Sequence, residues 1–178
     1  EESGYGLVPT SSTTAQLSLG DALSIALMKK KNFGKLDFKK FHPAGNLGNK
    51  LKTAYDLMLT KTKIPFVNEN TNMKNALIIL NKKKLGFLVV INNNGLNKGI
   101  FTDGDLKRLI QKKKYKKNLK IKSVMTKKPF IVEENTLASD ILTQMNKRKI
   151  TSVCVYNKKN KSKTIGVLHV HHLLKFIK

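Results

Sequence analysis

The stretch Gly99-Ile-Phe-Thr-Asp-Gly-Asp-Leu-Lys-Arg-Leu-Ile110 recurs near the C-terminus as Gly166-Val-Leu-His-Val-His-His-Leu-Leu-Lys-Phe-Ile177. Each copy has a glycine after a short polar turn, then two apolar residues, and then a polar patch that opens an amphipathic helix. The similarity extends upstream, where residues 81–90 match residues 146–155. An internal repeat fixes the architecture before any single element is assigned. The sequence therefore predicts a pair of small α/β modules.

Hydrophobic periodicity predicts the same order of elements in each module. In the first module it predicts a strand at 64–67, a helix carrying Met73 and Leu80, a buried strand at 87–91, a strand at 99–102 and a helix from Asp103. In the second it predicts a strand at 130–132, a helix at 137–147, strands at 152–156 and 164–168, and a final helix. Two such β-α-β-β-α modules can bury faces against each other and leave a cleft between them. The basic stretch 112–120 would link them.

Composition limits the class of protein. A chain of 178 residues that is 40% hydrophobic is long enough for one globular domain or two small ones. No apolar run approaches the roughly 20 residues that span a bilayer, and no basic-then-apolar leader is present. Cys154 is the only cysteine, which excludes an internal disulfide and fits a reducing compartment. We therefore expect a cytoplasmic protein without membrane contact, and we expect Cys154 in a buried strand.

The net charge of +24 suggests nucleic acid as a partner, but the residue types argue against specific binding. Arg108 and Arg148 are the only arginines, and arginine is the usual reader of bases and phosphates. The lysines are dispersed, and no aromatic residues interleave with them to stack on bases. A solvated basic surface is the favoured interpretation, and a basic nucleic-acid binder is the weakest of three hypotheses.

The N-terminal third lacks the residues for a core of its own. An apolar stripe from Leu19 to Leu27 predicts one amphipathic helix, with N-cap oxygens from the hydroxyl-rich run 10–14. A second short helix and then a turn at 42–48 are predicted before the repeat. A helix must bury its stripe against something, and the chain does not begin with methionine. We therefore expect this sequence to be a piece of a longer protein.

The repeat, ending in Gly-x-Phe-Thr-x-x-Asp-Leu, resembles a CBS domain pair over residues 54–178. The resemblance implies that Gly99, Thr102 and Asp105 bind the phosphate and ribose of a nucleotide, with Gly166 as the matching glycine in the second copy. Helix N-termini attract phosphate, and a carboxylate can accept from both ribose hydroxyls. The alternative for Asp105 is a helix-capping role alone. In the second copy, histidines (His169 and His172) replace the threonine and the aspartate.

The whole chain, including the stretches at 7–16, 20–27 and 41–48, resembles the arabinose-5-phosphate isomerase family. Its members join a SIS (sugar isomerase) domain to a CBS pair. The resemblance implies domains at 1–50 (the end of the SIS domain), 54–115 and 120–178. It also implies isomerisation of D-ribulose 5-phosphate to D-arabinose 5-phosphate for Kdo and lipopolysaccharide biosynthesis. His42 and Glu1 would be the catalytic residues, although Ala44 departs from the family's glycine. The residues alone favour the alternative that His42 is a turn residue before proline, and the resemblance reverses this preference.

The resemblance also implies the partners. These are the sugar phosphates, a nucleotide or nucleotide-sugar effector in the CBS cleft, and identical subunits in a tetramer of the full-length protein. No cofactor is expected to be required. No metal is expected either, since the histidines at 169, 171 and 172 do not share one helix face. This chain alone is expected to be inactive, because one histidine without the remaining acid–base groups and phosphate loop cannot isomerise the sugar. The second hypothesis is a stand-alone nucleotide-sensing CBS module.

Overall fold

The computed structural model describes residues 6–42 and 45–176, and the chain divides into two compact units, Glu1–Gly48 and Asn49–Lys178. The first unit contains α1 (Ser11–Lys30) and α2 (Lys35–Phe41), and α3 (Gly45–Lys50) follows at the boundary. No residue of α1 is buried, so its apolar stripe is exposed. Within the described residues, none of the three helices is long and apolar enough to span a membrane, and the same holds for the second unit.

Two predictions for the first unit are corrected. The hydroxyl run does not precede α1 but forms its first turn, where the Thr13 hydroxyl donates to the Thr10 carbonyl over 2.9 Å. This happens because Ser and Thr can bond to a carbonyl of the preceding turn and so remain helical. The stretch predicted as a turn at 42–48 is also partly helical, since α3 begins at Gly45. Gly45 has a φ of +75°, which suits glycine at the point where the chain re-enters a helix.

The second unit contains the repeat. Its first half is α4 (Ala54–Leu57), β1 (Leu59–Thr60), β2 (Phe66–Asn68), α5 (Met73–Lys83), β3 (Phe87–Ile91), β4 (Asn97–Thr102) and α6 (Asp103–Gln111). Its second half is β5 (Thr126–Lys127), β6 (Ile131–Glu133), α7 (Ala138–Arg148), β7 (Ser152–Asn157), β8 (Asn160–His169) and α8 (Val170–Leu174), with a 3-10 turn at Ile121–Ser123 before β5. The predicted tandem β-α-β-β-α architecture is confirmed.

The periodic elements lie close to their predicted bounds. α5 begins where the Asn72 side chain accepts from the Asn75 amide, and it ends at Lys84 in the left-handed region. The predicted strand at 64–67 is displaced, because β2 begins only at Phe66. Pro65 has no N–H to donate to a neighbouring strand, and its carbonyl accepts from the Val89 amide instead. The predicted linker is not a free spacer, since Tyr115 packs against the core of the first half.

The two halves exchange their leading segments. The described strands form two sheets, in the orders β2-β3-β4-β5 and β1-β8-β7-β6. β1 therefore comes from the first half but pairs antiparallel with β8, while β5 leads into the second half but pairs antiparallel with β4. The same exchange appears in backbone hydrogen bonds, from the Ala54 amide to the Thr136 carbonyl at 2.8 Å and from the Ile121 amide to the Thr71 carbonyl at 2.9 Å.

The core follows this exchange. Ala54 and Leu57 of α4 are buried with α7 and α8 of the second half, and Ile121 is fully buried with α5 of the first half. A third cluster contains Ile64, Phe87, Val89, Cys154 and Val167, and it lies where the two sheets face each other. The helices cover the outer sheet faces, so the halves meet through their inner faces. The burial predicted for Cys154 is confirmed, at 1% exposure.

Candidate functional site

The first cleft is an open cavity of about 510 Å3 at the junction of the two halves. One wall is formed by the beginning of α6 and the turn before β3. The opposite wall is formed by the end of α7 and the beginning of β7. The segment between β5 and β6 closes one side. Its described lining residues are Leu85, Gly86, Ile100, Thr102, Asp103, Gly104, Asp105, Arg108, Thr126, Lys128, Pro129, Phe130, Lys149, Ile150, Thr151, Ser152 and His169. Two of the predicted binding residues, Thr102 and Asp105, therefore lie in one cleft.

Thr102 and Asp105 form a reciprocal cap at the start of α6. The Thr102 hydroxyl accepts from the Asp105 amide at 3.1 Å, and Asp105 Oδ2 accepts from the Thr102 amide at 2.9 Å and from its hydroxyl at 2.8 Å. This is a capping box, which satisfies amides that the first helical turn would otherwise leave unpaired. Asp105 thus caps the helix, while the choice between capping alone and ligand binding stays open. The cap does not exclude ligand contact, because one carboxylate oxygen makes all the capping bonds.

The second oxygen of Asp105 makes none of the capping bonds. Asp105 Oδ1 accepts from the Arg108 guanidinium at 2.5 Å and lies 3.4 Å from the Thr126 hydroxyl. The Asp105 side chain is only 10% exposed, whereas that of Arg108 is 62% exposed. The pair therefore has one largely buried and one exposed partner. A ligand with vicinal hydroxyls can take the place of Arg108 on Oδ1 without disturbing the cap, and it leaves the guanidinium available for a ligand anion.

The cleft is chemically divided. Leu85, Ile100, Ile150, Pro129 and Phe130 supply an apolar surface, and the Arg148 guanidinium stacks on the Phe130 ring with 4.3 Å to the centroid. The remainder is polar, and it includes three cationic side chains, namely Arg108, Lys128 and Lys149, besides the aspartates of α6. This combination suits a ligand with a flat apolar part and a negatively charged part.

Neither predicted glycine lines this cleft. A Cβ at Gly99 would lie 2.5 Å from the Thr126 carbonyl oxygen and 3.0 Å from Met125 Sδ, so the glycine allows the exchanged strand β5 to approach β4. Gly166 has the same place in the other sheet, where a Cβ would meet the Met58 side chain. Both glycines are explained by strand packing. Their contact with a ligand stays a prediction.

The second cleft is the counterpart of the first in the other copy, with a volume of about 240 Å3. Its described lining residues are Leu59, Lys84, Leu85, His169, His171, His172 and Lys175. His169 caps α8 as Thr102 caps α6, since its Nδ1 accepts from the His171 amide at 3.3 Å. His172 has the position of Asp105. The motif in the sequence located these histidines, but Lys84 and Leu85 come from a distant turn that no motif indicated.

The two predicted catalytic residues belong to the first unit. His42 follows α2 and is exposed, and its ring stacks on Phe38 with 4.1 Å between the centroids and 5° between the planes. Its amide donates to the Phe38 carbonyl at 3.1 Å. Glu1 lies outside the described residues. The catalytic role of both residues stays a prediction.

Comparison with protein-family models identifies two segments of this chain. The model for the CBS domain matches residues 54–112 and 121–178, which together are more than half of the chain. These two matches correspond to the two halves of the repeat.

The curated relatives include arabinose 5-phosphate isomerases named KdsD. The chain is 42% identical to the Yersinia pestis protein over 171 residues, 43% identical to that of Salmonella typhi over 171 residues, and 41% identical to that of Francisella tularensis over 170 residues. The matches cover 95–96% of this chain and 51% of each relative. The chain thus spans about half the length of these relatives. The predicted resemblance to the isomerase family is confirmed over nearly the whole chain.

Solved structures with the same fold include CBSX2 in complex with AMP, with a TM-score of 0.61 and 27% identity, covering 69% of this chain and 93% of CBSX2. The CBS domain pair of MJ0100, solved with 5′-methylthioadenosine and S-adenosyl-L-methionine, gives a TM-score of 0.62 at 20% identity, covering 70% and 94% of the two chains. At that identity the second similarity shows the fold alone. Fold, repeat and family model agree, and the chain belongs to the CBS domain family.

Proposed function

We propose that this chain is the regulatory part of a sugar-phosphate isomerase, and that its CBS pair binds a nucleotide in the first cleft. The arrangement of Thr102 and Asp105 carries the proposal, because it places a carboxylate oxygen at a helix N-terminus between an apolar wall and three cations. The AMP in the CBSX2 complex supports a nucleotide as the ligand class.

In this proposal each part of the cleft has one task. The base packs on the apolar surface around Ile100 and Phe130. The ribose hydroxyls donate to Asp105 Oδ1, which releases Arg108 toward the phosphate. Lys128 and Lys149 add positive charge from the opposite wall. Because the walls belong to different halves, binding favours one relative placement of the halves, and this preference is what a regulatory ligand requires.

The similarity to arabinose 5-phosphate isomerases supports the proposed parent activity, the interconversion of D-ribulose 5-phosphate and D-arabinose 5-phosphate for Kdo synthesis in the cytoplasm. His42 would carry the proton between C1 and C2 of the sugar, since an imidazole can give and take protons near neutral pH. Glu1 would assist it. We expect a tetramer for the complete protein, and we expect this chain alone to be inactive.

A thermal-shift and calorimetric titration with AMP, ATP, CMP, CMP-Kdo and arabinose 5-phosphate tests the nucleotide proposal. A ligand at 100 times its Kd stabilises the fold by about 2.7 kcal/mol, which raises the melting temperature measurably. Asp105→Asn keeps an acceptor for the cap but removes the charge. We expect this variant to weaken the binding of the active nucleotide at least tenfold.

Asp56→Asn is the matched control. Asp56 accepts from the Thr53 amide at 2.7 Å and from its hydroxyl at 2.9 Å, so it forms the same capping box at α4. It does not line the first cleft among the described residues. Equal weakening by both variants would show that the cap acts only through the fold. No shift with any nucleotide would contradict the proposal.

The stand-alone sensor is the second candidate, and one observation favours it. Residues 49–178 form a compact unit with buried clusters of their own, so this part can fold and bind without catalytic residues. Sequencing the gene upstream of Glu1 separates the candidates. A sugar-phosphate loop of the Ser-x-Ser-Gly type supports the isomerase, whereas a stop codon supports the sensor.

A further inference from the structure

The second cleft differs from the first in the charge of its walls. Both acidic residues of the first cleft, Asp103 and Asp105, lack counterparts there, since His172 stands in the position of Asp105. Every described polar side chain that lines the second cleft is a lysine or a histidine. A ligand that donates ribose hydroxyls finds no carboxylate here. A ligand that carries negative charge meets only cations and groups that become cations.

The three histidines form one cluster. The ring centroids of His169 and His171 lie 5.1 Å apart. His172 Nδ1 is buried and has no hydrogen-bond partner among the described residues. An unpaired buried nitrogen is costly, and an anionic oxygen that accepts a proton from it removes this cost. The cluster therefore contains one ring nitrogen whose hydrogen-bonding capacity is unused within the described residues.

The lysines flank the cluster from two elements. Lys175 follows α8, and Lys84 ends α5 with a φ of +54°. This left-handed conformation favours glycine, so it carries a conformational cost for a lysine. Lys84 and Lys175 are both exposed, and their flexible stems can bring the ammonium groups to an anion in the cleft.

No opposing charge faces the cluster within the second cleft. α8 contributes His171 and His172 to the cleft, and Lys175 follows directly after α8. Lys84 comes from the turn before β3, and β1 contributes Leu59, which is apolar. His169 also borders the first cleft, where the charged groups are Asp103, Asp105, Arg108, Lys128 and Lys149. A bound anion would therefore meet only positive or neutral side chains in the second cleft.

We propose that the second cleft binds a small multivalent anion of the phosphate class, without a nucleoside, and that binding is stronger when His171 and His172 are protonated. The volume of about 240 Å3 is less than half that of the first cleft and below the roughly 300 Å3 at which drug-sized pockets begin. The pair thus holds two sites of different chemistry, one for a nucleotide and one for a proton-dependent anion. The described residues offer no group of three or more His, Cys, Asp or Glu side chains that could hold a metal ion.

Histidine NMR of the chain, titrated with sulfate, tests this proposal. Sulfate keeps its charge across the neutral range, so any pH dependence belongs to the protein. We expect the ring signals of His171 and His172 to shift saturably at about pH 6, with binding at least tenfold weaker at about pH 8. His42 is the only histidine outside the cluster and is the internal control. Because His171 and His172 line only the second cleft, their response distinguishes this site from the nucleotide site.

Charge-neutralising variants complete the test. We expect Lys84→Gln and Lys175→Gln each to weaken sulfate binding roughly tenfold, the loss expected for one charge-assisted contact. Lys159→Gln is the matched control, since Lys159 is exposed in the β7–β8 turn. Lys149→Gln alters the first cleft and is expected to leave the His171 response unchanged. Equal shifts at all histidines, pH-independent binding, or equal effects of Lys84→Gln and Lys159→Gln would overturn the proposal.

Discussion

The carboxylate of Asp105 and the imidazole of His172 occupy the same position, the third residue of the helix that follows the last strand of each half. In the first half this residue closes a reciprocal cap with Thr102. In the second half the residue equivalent to Thr102 is His169, whose Nδ1 accepts from the His171 amide instead. The carboxylate of the first cleft is thus replaced in the second cleft by an imidazole, which becomes positively charged when it binds a proton.

The two strand glycines are expected to respond differently to alanine. In Gly99→Ala the new Cβ meets the Thr126 backbone carbonyl, which the strand pairing fixes, so we expect a loss of about 2–3 kcal/mol in unfolding free energy. In Gly166→Ala the new Cβ meets Met58 Sδ and Cγ, which a rotamer change can move, and also Met58 Cβ at 2.9 Å, which needs a small backbone shift, so the loss should be about 1–2 kcal/mol. Urea denaturation measures both. Equal losses would show that β5 can move away from β4.

The stability of the chain should fall below neutral pH through His169. Its pKa is lowered by burial first and then by the charges of His171 and His172. Because the unfolded chain binds a proton near the ordinary value of 6.5 and the folded chain does so only at lower pH, this contribution is complete above that value. It is lost as the pH falls through the folded pKa. Urea midpoints at about pH 5 and 7.5 measure the loss.

His169→Asn isolates this effect. Asparagine keeps a side-chain acceptor for the His171 amide but does not titrate. We therefore expect the variant to lose less stability than the parent between the two pH values. His42→Asn removes a histidine from the other unit and serves as the control. A parent-like pH dependence in His169→Asn would assign the acid sensitivity to other groups.

Cys154 should be unreactive in the folded chain. Burial raises the pKa of its thiol to about 12, although hydrogen bonds with Thr164 and Asn97 act in the opposite direction. Thiol reagents attack the thiolate, so labelling with Ellman's reagent is expected only as the chain unfolds. The labelled fraction should follow the urea unfolding curve measured by circular dichroism. Rapid labelling without denaturant would mean that the inner sheet faces separate in the native state.

The exchanged segments predict which fragments fold. A fragment of residues 61–127 contains β2 to β5 and the buried Ile121, so its sheet and its outer core are complete. A fragment of residues 49–118 is of similar length and follows the sequence repeat more closely, but it lacks β5 and Ile121. We expect cooperative thermal unfolding, followed by circular dichroism, only for the first fragment. Cooperative unfolding of residues 49–118 would show that the exchange contributes little to stability.

The repeat made most of the fold predictable, because β3, α5 and α7 have clear periodicity and clear ends. The exchange was not predictable. β1 and β5 have two residues each, which is too short for a periodic pattern, and their partners β8 and β4 are set by packing between halves. For the same reason the glycines were predicted as ligand contacts. The resemblance assigned them to a ligand, and nothing in the sequence indicated that a segment exchanged between the halves approaches each glycine.

The sites were predictable only in part. The motif located Thr102 and Asp105, since both lie within one helical turn and act through local geometry. The opposite walls were not indicated, because Lys149 and Lys84 lie at helix ends that only the tertiary fold brings to the clefts. The left-handed conformation of both lysines is also not visible in the sequence, which has no glycine at either position.

The crossing of segments between the halves also has a consequence for synthesis on the ribosome. Translation delivers the first half before the second, yet its sheet receives β5 and its core receives Ile121 only after residue 127 has left the exit tunnel. Until then the nascent chain exposes the free edge of β4 and an unfilled core, both of which invite pairing with other chains. The second half in turn needs α4 and β1, which are synthesised first, at the start of the repeat. The first sheet can therefore close once residue 127 has emerged, whereas the second sheet waits for β8 near the end of the chain.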